Sequence, residues 1–503
     1  MMWFRRSKPA APTDVDDPEQ AHRLMLRKRM ARPQRHRLLQ GYPMAPLMAP
    51  IDRPEPTLAT DRLDPRRPLL VGVLPHPFCN PQVTGCGFCT FPHEKFARPA
   101  AERVVEAVIR ELEVFHQAHP DLCARRQVDG LYFGGGTANL TPPDSFARLV
   151  EALRRTFTLR DAEVTLEGVP IYFLTRDGIL LDHLQELGAR HQRLSMGVQT
   201  FDTAQLERMG RTAFGKRAQL AKLVSQAHAR GMTLSADLLF NLPHQSQAQM
   251  LDDVTIAAEL GFDQICVYHL VLFEGLGTAW SKDPSLLAAL PDQDRALDNW
   301  LAVREHLQTL GYVQSTLTNF ERRDVHHSAR RFIYEAASFQ PETYDGVGFG
   351  PGGLSTWAGS LWGGVRSAPV ALKTMNATSA DAYVAQVDTY GTGRDRFFRY
   401  NAPADLQLLH ITRQLPLLRV RGDTWRLFFG GTLHTAYPHA WKALEEAKLV
   451  TLEANGDVQL TPKGMFFADS VAGLLAEPRV RFLRETGVAR VMDDLEHARH
   501  AMG

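Results

Sequence analysis

The sequence predicts an α/β fold in which six parallel strands, each followed by a helix, form a closed or partly closed barrel. From position 69 to position 272, short apolar runs alternate with helical patterns at intervals of roughly 30 to 40 residues. Successive strand-helix-strand units of this kind make right-handed crossovers and therefore a parallel sheet. The strand runs are apolar, which is typical of strands covered on both faces.

The elements of this barrel follow the chain in order. The predicted strands are 69–75, 128–136, 162–169, 193–199, 233–243 and 264–272. Helical patterns lie between them, at 101–118, 145–157, 178–189, 217–231 and 247–261. Residues 291–310 predict a further helix, and 345–355 a second glycine-rich turn.

Two flanking regions complete the predicted organisation. We assign residues 1–66 to an N-terminal arm, 67–370 to the barrel and 371–503 to a C-terminal domain. The arm begins with a basic helical stretch at 19–30 and continues as a proline-rich segment, either a solvated tail or an arm laid across the barrel mouth. In the C-terminal domain, short helices precede two strands around a turn at Asn455 and Gly456, which predicts a small winged-helix-like module.

Composition excludes several functional classes. The 503 residues carry a formal net charge of +1 with 22% charged residues, so no general basic field favours nucleic acid. No apolar run approaches the ~18 residues of a membrane span. The N-terminal stretch MMWFRRSKPAAP is not followed by an apolar segment, so it does not predict a secretory signal. We therefore expect a cytoplasmic protein with no nucleic-acid or membrane partner.

Three of the five cysteines form a cluster just after the first predicted strand. Cys79, Cys86 and Cys89 have the spacing C-x6-C-x2-C, and an odd number of clustered thiols favours a metal centre over a disulfide. One interpretation is structural zinc, with His76 or His93 as a fourth ligand. The other is a [4Fe-4S] cluster on three thiolates, which leaves one iron open for a small ligand. Cys123 and Cys266 are distant and are typical of buried core thiols.

Glycines or polar side chains recur where the predicted strands end. The first strand leads into the cysteine loop, the second into a glycine run with Thr137, the third ends near Glu167, the fourth at Gln199, and the fifth carries Asp237. The C-terminal ends of parallel strands meet at one rim, where barrel enzymes carry their chemistry. The sequence therefore predicts one site at one rim.

Six motifs, in order along the chain, resemble those of one enzyme family. They are the cysteine loop, FGGGT, LEGVP, RLSMGVQTFD with Arg211, SADLLFNLP and GVGFGPGGLS. Together they resemble the radical S-adenosylmethionine (SAM) enzymes related to oxygen-independent coproporphyrinogen III dehydrogenase, the HemN-like family. Each motif alone is weak, but the ordered set spans about residues 69–475. The resemblance implies a partial (β/α)6 TIM-type radical SAM barrel with the small C-terminal domain.

The resemblance also implies cofactors and their ligands. A [4Fe-4S] cluster would be held by Cys79, Cys86 and Cys89, with SAM chelating the open iron and being cleaved reductively to a 5'-deoxyadenosyl radical. The methionine end of this SAM would contact Gly135, Gly136, Thr137 and Glu167, with the Glu167 carboxylate pairing with its ammonium group. A second SAM can lie beside the first in this family. The positions that match its contacts are Gln199, Arg211 and Asp237, and the backbone near Val271 and Leu354 matches further cofactor contacts.

Two departures from the family pattern bear on the reaction. The first cysteine gap is six residues rather than the usual three, a lengthening that costs little closure entropy. Val73 and Pro75 stand where the family commonly has a tyrosine and a histidine. These departures, with the retained second-SAM positions, favour a methyltransferase or a cyclopropane-forming enzyme.

Two alternatives remain open at this stage. They are oxidative decarboxylation of coproporphyrinogen III and non-catalytic haem trafficking. The expected partners are a small-molecule substrate, such as a tetrapyrrole or a natural-product intermediate, and an electron donor of the flavodoxin or ferredoxin type.

Overall fold

The computed structural model describes residues 17–34, 41–56, 66–79, 86–91, 93–358, 371–400 and 402–488. Within these ranges the strands are, in chain order, β1 (Ala49–Pro50), β2 (Leu69–Val73), β3 (Phe78–Cys79), β4 (Glu94–Lys95), β5 (Val128–Phe133), β6 (Glu163–Gly168), β7 (His191–Gln199), β8 (Thr233–Phe240), β9 (Gln264–His269), β10 (Tyr312–Gln314), β11 (Asn319–Arg322), β12 (Asp345–Phe349), β13 (Leu354–Trp357), β14 (Leu372–Asn376), β15 (Arg394–Arg399), β16 (Arg419–Val420), β17 (Val450–Leu452) and β18 (Val458–Leu460).

The helices of the same ranges are α1 (Pro18–Met30), α2 (Arg98–Ala118), α3 (Pro120–Arg125), α4 (Pro143–Thr156), α5 (Pro170–Phe173), α6 (Ile179–Glu186), α7 (Thr203–Arg208), α8 (Arg217–Ala229), α9 (Gln247–Glu259), α10 (Pro284–Ala288), α11 (Gln293–Thr309), α12 (Arg323–His326), α13 (Tyr334–Ser338), α14 (Ala380–Tyr390), α15 (Pro403–Gln414), α16 (Gly422–Phe429), α17 (Leu433–Ala436), α18 (Pro438–Glu446), α19 (Pro462–Phe466) and α20 (Ala468–Thr486). Short 3-10 helices lie at Ala45–Leu47, Ala138–Leu140, Thr175–Gly178, Thr212–Phe214, Trp280–Lys282 and Leu415–Leu417.

The six predicted strands form the centre of one large sheet. β2, β5, β6, β7, β8 and β9 lie side by side in chain order, and every adjacent pair is parallel. This confirms the predicted α/β fold with a parallel (β/α)6 core. The sheet continues on both sides: β12 pairs in parallel with β2, and β11 pairs antiparallel with β9. Over the described residues the strand order runs from β1 to β10 without closing.

The two faces of the central strands differ in chemistry. On one face, Val71, Leu131 and Val164 are aligned in register and fully buried. On the other face, the aligned row is Gly72, Tyr132, Thr165, Arg193 and Thr233. Side chains alternate between faces along a strand, so one face builds the apolar core and the other a polar interior. The C-terminal ends of the strands meet at one rim of that interior.

The N-terminal helix lies against the C-terminal helices. Helix α1 covers the predicted helix 19–30 and packs on α18 and α20 rather than across the barrel mouth. Arg23 pairs with Glu446 at 2.7 Å, and Lys442 with Glu19 at 2.7 Å. Residues 41–56 of the predicted arm include β1, which pairs with β15, whereas residues 1–16, 35–40 and 57–65 lie outside the described residues.

The C-terminal region combines helices with a small sheet, as predicted. β16, β18 and β17 form a three-stranded antiparallel sheet, and the turn between β17 and β18 contains Gly456 at φ +92°. β14 and β15 follow residue 370 and belong to the large sheet, where β14 pairs with β13 and β15 pairs with β14. The boundary at 370 stays a prediction, because residues 359–370 lie outside the described ranges. No helix in the described ranges is both long and apolar enough to cross a membrane.

Candidate functional site

The cysteine loop leaves the first barrel strand and returns beside it. Cys79 ends the short strand β3, which pairs in parallel with β4 at the far end of the loop. The backbone N–H of Phe96 donates to the Cys79 carbonyl at 3.0 Å. Cys79, Cys86 and Cys89 are partly buried free thiols, whereas Cys123 and Cys266 are buried. Residues 80–85 and 92 of the loop lie outside the described residues.

Two glycine contacts fix the loop against the barrel. A Cβ atom on Gly136 would lie 2.6 Å from the Phe78 carbonyl oxygen, so only glycine lets the run after β5 approach the loop this closely. Gly87, at φ +71°, lies against the indole ring of Trp280. The backbone N–H of Trp280 donates to the Gly87 carbonyl at 2.9 Å, and the Phe88 ring packs edge-on against the Trp280 ring. The loop is therefore held from both sides.

Polar groups from two other loops reach the thiols. Arg211 Nη1 donates to Cys86 Sγ at 3.0 Å. Burial raises the pKa of the Cys79 thiol, and a hydrogen bond with the Thr137 side chain opposes that rise. Burial likewise raises the pKa of Cys89, against a hydrogen bond from the Phe91 backbone. A guanidinium at hydrogen-bond distance stabilises the anionic form of a thiol.

The donor set fits a three-thiolate cluster. Each imidazole of the zinc interpretation has its Nδ1 engaged within the loop. His76 is fully buried, its Nδ1 accepts from the Phe78 N–H, and its Nε2 has no hydrogen-bond partner among the described residues. His93 Nδ1 lies 2.9 Å from the Phe91 carbonyl oxygen. Within the described residues, which include all three loop thiols, no three His, Cys, Asp or Glu side chains are arranged to hold a metal ion, so this observation favours neither interpretation. Three thiols in one loop, with Arg211 beside them to balance negative charge, suit a [4Fe-4S] cluster.

Glu167 lies at the rim, next to the glycine run. Its Oε2 accepts from the Tyr132 hydroxyl at 3.1 Å and lies 3.2 Å from the point that a Cβ on Gly134 would occupy. Burial and, to a smaller extent, the nearby Asp237 carboxylate raise the pKa of Glu167 to about 7, while Tyr132 and Arg193 oppose the rise. A cation that binds beside a carboxyl group with a raised pKa stabilises the ionised form of that group.

The backbone next to Glu167 is open for a ligand. Gly135 has φ +113°, which favours glycine. No hydrogen bond to a described residue engages the backbone N–H of Gly135 or Gly136. The glycine run therefore presents free donors close to a carboxylate.

Asp237 occupies the same polar interior two strands away. Its oxygens accept from the Ser195 hydroxyl at 3.3 Å and the Ser235 hydroxyl at 3.4 Å. Burial raises its pKa to about 6, against the charge of Arg193 and the surrounding hydrogen bonds. Both hydrogen bonds are long, and both donors are uncharged hydroxyl groups. Among the described residues, no basic side chain forms an ion pair with the Asp237 carboxylate.

A β-bulge brings Gln199 and Arg211 together. The pairing of β7 with β8 shifts register between Gly197 and Gln199, and Gln199 has φ +70°. The Gln199 amide nitrogen and Arg211 Nη2 both lie within 4 Å of the position of a Cβ on Gly197. Arg211 Nη2 donates to the Gly197 carbonyl at 2.5 Å, and its buried Nε–H has no partner. Bulges and strained non-glycine residues of this kind cluster at functional sites.

The two remaining predicted positions lie at the same rim. Val271 follows the end of β9 and is half-buried. Leu354 begins β13, is exposed, and its backbone lies against Gly348 near the end of β12. The structure thus brings the predicted residues to one edge of the sheet.

Several residues of the site were not found from the sequence. Tyr132 and Trp280 contact predicted regions of the site but sit in no motif. Arg193 begins the RLSMGVQTFD motif and acts electrostatically on Glu167 and Asp237, but the motif alone did not single it out. One signal did exist: Gly72 and Gly130 interrupt otherwise apolar strands, which often marks a close approach. Both lie against the Tyr334 side chain of α13, which stacks on Tyr132 with ring centroids 5.1 Å apart.

Comparison with known families agrees with this geometry. The model of the radical SAM superfamily matches residues 73–257, which include the cysteine loop, the glycine run, Glu167, Gln199, Arg211 and Asp237. An oxygen-independent coproporphyrinogen III oxidase from Bradyrhizobium diazoefficiens is 30% identical over 256 residues, 49% of this chain and 52% of that protein. Residues 73–257 therefore carry a radical SAM domain, and the chain is similar to HemN-like radical SAM proteins. Radical SAM proteins use a [4Fe-4S] cluster and SAM.

Other HemN-like relatives differ in their named activities. An anaerobilin synthase from Escherichia coli is 33% identical over 200 residues, 39% of this chain and 41% of that protein. The heme chaperone HemW of Haemophilus influenzae is 27% identical over 254 residues, 50% of this chain and 62% of that protein. The matches thus span about half the length of these curated relatives. The solved structure of coproporphyrinogen III oxidase (HemN) from Escherichia coli shares the fold, with a TM-score of 0.65, 21% identity, and coverage of 82% of this chain and 91% of that one.

Proposed function

We propose that this protein is a radical SAM enzyme that uses two SAM molecules to transfer a methyl-derived carbon to a tetrapyrrole. The observation that carries the proposal is the bulge at Gln199. This bulge places the side-chain amide of Gln199 near the Arg211 guanidinium, beside the cysteine loop. Glu167 and Asp237 lie at the same rim. One SAM has one ammonium group for one carboxylate, so a second carboxylate and a guanidinium suit a second SAM.

The cluster and the first SAM occupy the side of the rim formed by β2, β5 and β6. Cys79, Cys86 and Cys89 hold the cluster, which when bound supplies the electron that cleaves SAM. The free N–H groups of Gly135 and Gly136 donate to the carboxylate of the methionine moiety, with Thr137 beside them. Glu167 pairs with the ammonium group, which keeps its carboxylate ionised at neutral pH.

The second SAM lies on the side formed by β7 and β8. Asp237 accepts from the ribose hydroxyls, exchanging its long serine hydrogen bonds for shorter ones. Arg211, through its unpaired Nε–H, and the Gln199 amide bind the carboxylate of this second molecule. The backbone near Val271 and Leu354 completes the walls of the SAM-binding site. Arg211 also contacts Cys86, so it couples the second site to the cluster.

The choice of a tetrapyrrole rests on the relatives. A bilin, coproporphyrinogen and heme are all tetrapyrroles, and the three appear in the names of three relatives. Val73 and Pro75, with the longer cysteine gap, support methyl transfer over coproporphyrinogen decarboxylation. The electron is supplied by a flavodoxin- or ferredoxin-type donor in a reducing cytoplasm.

The test is product analysis under anaerobic conditions. Cluster-loaded protein, a reductant and SAM carrying a trideuterated methyl group are incubated with haemin or with coproporphyrinogen III, and the products are measured by mass spectrometry. Deuterium in a modified tetrapyrrole, absent with a Cys89→Ala control, supports the proposal. Loss of carbon dioxide from coproporphyrinogen without label would establish the decarboxylase instead. Tight haemin binding without turnover would establish haem trafficking.

A further inference from the structure

A cavity of about 280 Å³ with a mixed aromatic and polar lining lies beside the candidate site, on the polar face of the central strands. Its walls come from β5, β7, β9 and β11, and it is closed by α13 and by Arg413 of α15. Two wall residues also contact the candidate site: Tyr132 bonds Glu167, and Ser195 bonds Asp237. A molecule held at the rim can therefore extend a side arm into this cavity.

Buried donors without acceptors line the cavity. Arg193 is 3% exposed and Asn319 is 1% exposed, yet Arg193 Nη1 and Asn319 Nδ2 have no hydrogen-bond partner. Arg193 is nevertheless held in place, because its Nε donates to Gln264 at 2.8 Å and its guanidinium lies 3.8 Å from the Phe332 ring. A buried N–H without an acceptor costs free energy, which a ligand can recover.

A second guanidinium faces the same space. Arg413 lines the cavity and makes no hydrogen bond or ion pair with a described residue. Burial lowers its pKa, opposed only by the neighbouring Tyr400 and Tyr334 hydroxyls. Arg193 interacts electrostatically with Glu163, Asp237 and Glu335 but forms no salt bridge with any of them, and Arg413 has no carboxylate partner among the described residues. Buried charges are normally paired more closely than this.

The acidic groups around the cavity do not fill this role. Glu335 lines it, but its hydrogen bond from Thr316 is long at 3.4 Å, and burial raises its pKa to about 7. Glu163 already accepts from the Ile333 N–H at 2.7 Å, and Asp237 from two serines. The carboxylate acceptors around the cavity are thus already hydrogen-bonded or partly protonated, whereas the unsatisfied N–H groups of Arg193 and Asn319 are donors. A ligand that satisfies these donors must supply an anionic acceptor.

We propose that this cavity binds a carboxylate arm of the tetrapyrrole substrate, through Arg193, Asn319 and Arg413. The inference rests on the proposed function and adds a substrate subsite to it. Arginine binds carboxylates with paired, charge-assisted hydrogen bonds, and a desolvated site strengthens them. The arm would fix the orientation of the macrocycle relative to the SAM site.

The experiment compares iron protoporphyrin with its dimethyl ester, which lacks both anionic carboxylates. Affinities of the cluster-loaded protein are measured anaerobically by quenching of tryptophan fluorescence. We expect the diacid to bind about 10- to 100-fold more tightly than the diester, the usual range for a hydrogen bond to a charged group. Arg413→Met should remove most of this preference and leave the affinity for the diester within about threefold. Arg413→Lys, which keeps the charge, should restore part of it.

The outcomes separate the two proposals. Equal affinity for the diacid and the diester in the native protein overturns the carboxylate subsite but leaves the proposed function in place. Equal loss of both affinities in Arg413→Met overturns the subsite too, because it indicates a structural role for the arginine. Binding of neither compound overturns the subsite and the tetrapyrrole substrate together.

Discussion

Gly87 of the cysteine loop lies against the indole ring of Trp280, so closely that a Cβ on Gly87 would be 2.2 Å from Trp280 Nε1. The same glycine has φ +71°, a conformation that costs other residues about 1 to 2 kcal/mol. Two cysteines flank this contact, at one residue before and two residues after Gly87. Displacing the loop at this point would therefore displace two thiols together.

We expect Gly87→Ala to lower the iron content of reconstituted protein while leaving the barrel folded. The added methyl group must push the loop away from Trp280. Gly275→Ala is the matched control, because Gly275 has a similar φ of +83° but nothing within 4 Å of its Cβ position. The measurements are iron per chain and far-ultraviolet circular dichroism. Equal iron loss in both variants would assign the effect to backbone strain alone.

The three thiols themselves give the direct test of the cluster. Reconstituted native protein should bind about four iron atoms per chain, and replacing Cys79, Cys86 and Cys89 together by Ala should abolish this binding. Cys123→Ala, which removes a buried thiol in α3, should leave it unchanged. Stoichiometric zinc in the native protein, or iron retained by the triple variant, would contradict the iron-sulfur assignment.

Glu167→Gln should weaken binding of the first SAM by about 1.5 to 3 kcal/mol, because the amide cannot make a charge-assisted bond to the ammonium group. The iron content should not change. Glu163→Gln is the control: Glu163 lies on the same face of β6 at its other end and bonds the Ile333 backbone. Calorimetric titration gives both affinities. An unchanged SAM affinity in Glu167→Gln would leave Glu167 as a structural partner of Tyr132.

Asp237→Asn should reduce the number of SAM sites from two to one. Asp237 is a cleaner probe of the second site than Arg211, because Arg211 also bonds Cys86 and its loss would disturb the cluster. Ser235→Ala, which removes a partner of Asp237 but keeps the carboxylate, should retain both sites. Calorimetric stoichiometry is the measurement, and a single site in the native protein would rule out the two-SAM mechanism.

His410 should make the C-terminal region less stable in acid. The imidazole is fully buried beside the rings of Trp425 and Phe429, and burial lowers its pKa from 6.5 to about 4. Between these values the unfolded chain binds a proton that the folded chain does not, so stability falls as the pH falls from 6.5 to 4. At pH 5 the loss is about 2 kcal/mol.

His410→Phe should remove this part of the acid sensitivity. The measurement is the unfolding midpoint of each protein at pH 5 and at pH 7.5. If the native protein and the variant show the same drop between these two pH values, another group is responsible for it.

The sequence predicted the barrel well because its strands and helices carry strong local patterns. β2, β5, β6, β7, β8 and β9 all fall within or overlap the predicted ranges, and α1 begins one residue before its predicted start. Strand order followed from the rule for right-handed crossovers, which needs no side-chain detail. The site residues at strand ends could be predicted for the same reason.

The parts that escaped prediction depend on contacts between distant segments. Trp280 on Gly87, Tyr334 over Gly130 and Arg413 at the cavity join residues far apart in the chain, and no local pattern encodes them. The antiparallel strands β13, β14 and β15, and the pairing of β15 with β1, were likewise missed. Short strands whose partners lie elsewhere in the chain carry little period-two signal.

The contact of α1 with the C-terminal helices has a consequence for biosynthesis. Arg23 and its partner Glu446 are separated by 423 residues. At ribosomal rates of about 5 to 20 residues per second, α1 emerges roughly 20 to 85 s before that partner exists. The parallel strands can pair during this interval, since they follow one another along the chain. We therefore expect the nascent barrel to form first and α1 to dock last, after the C-terminal helices on which it packs have been synthesised.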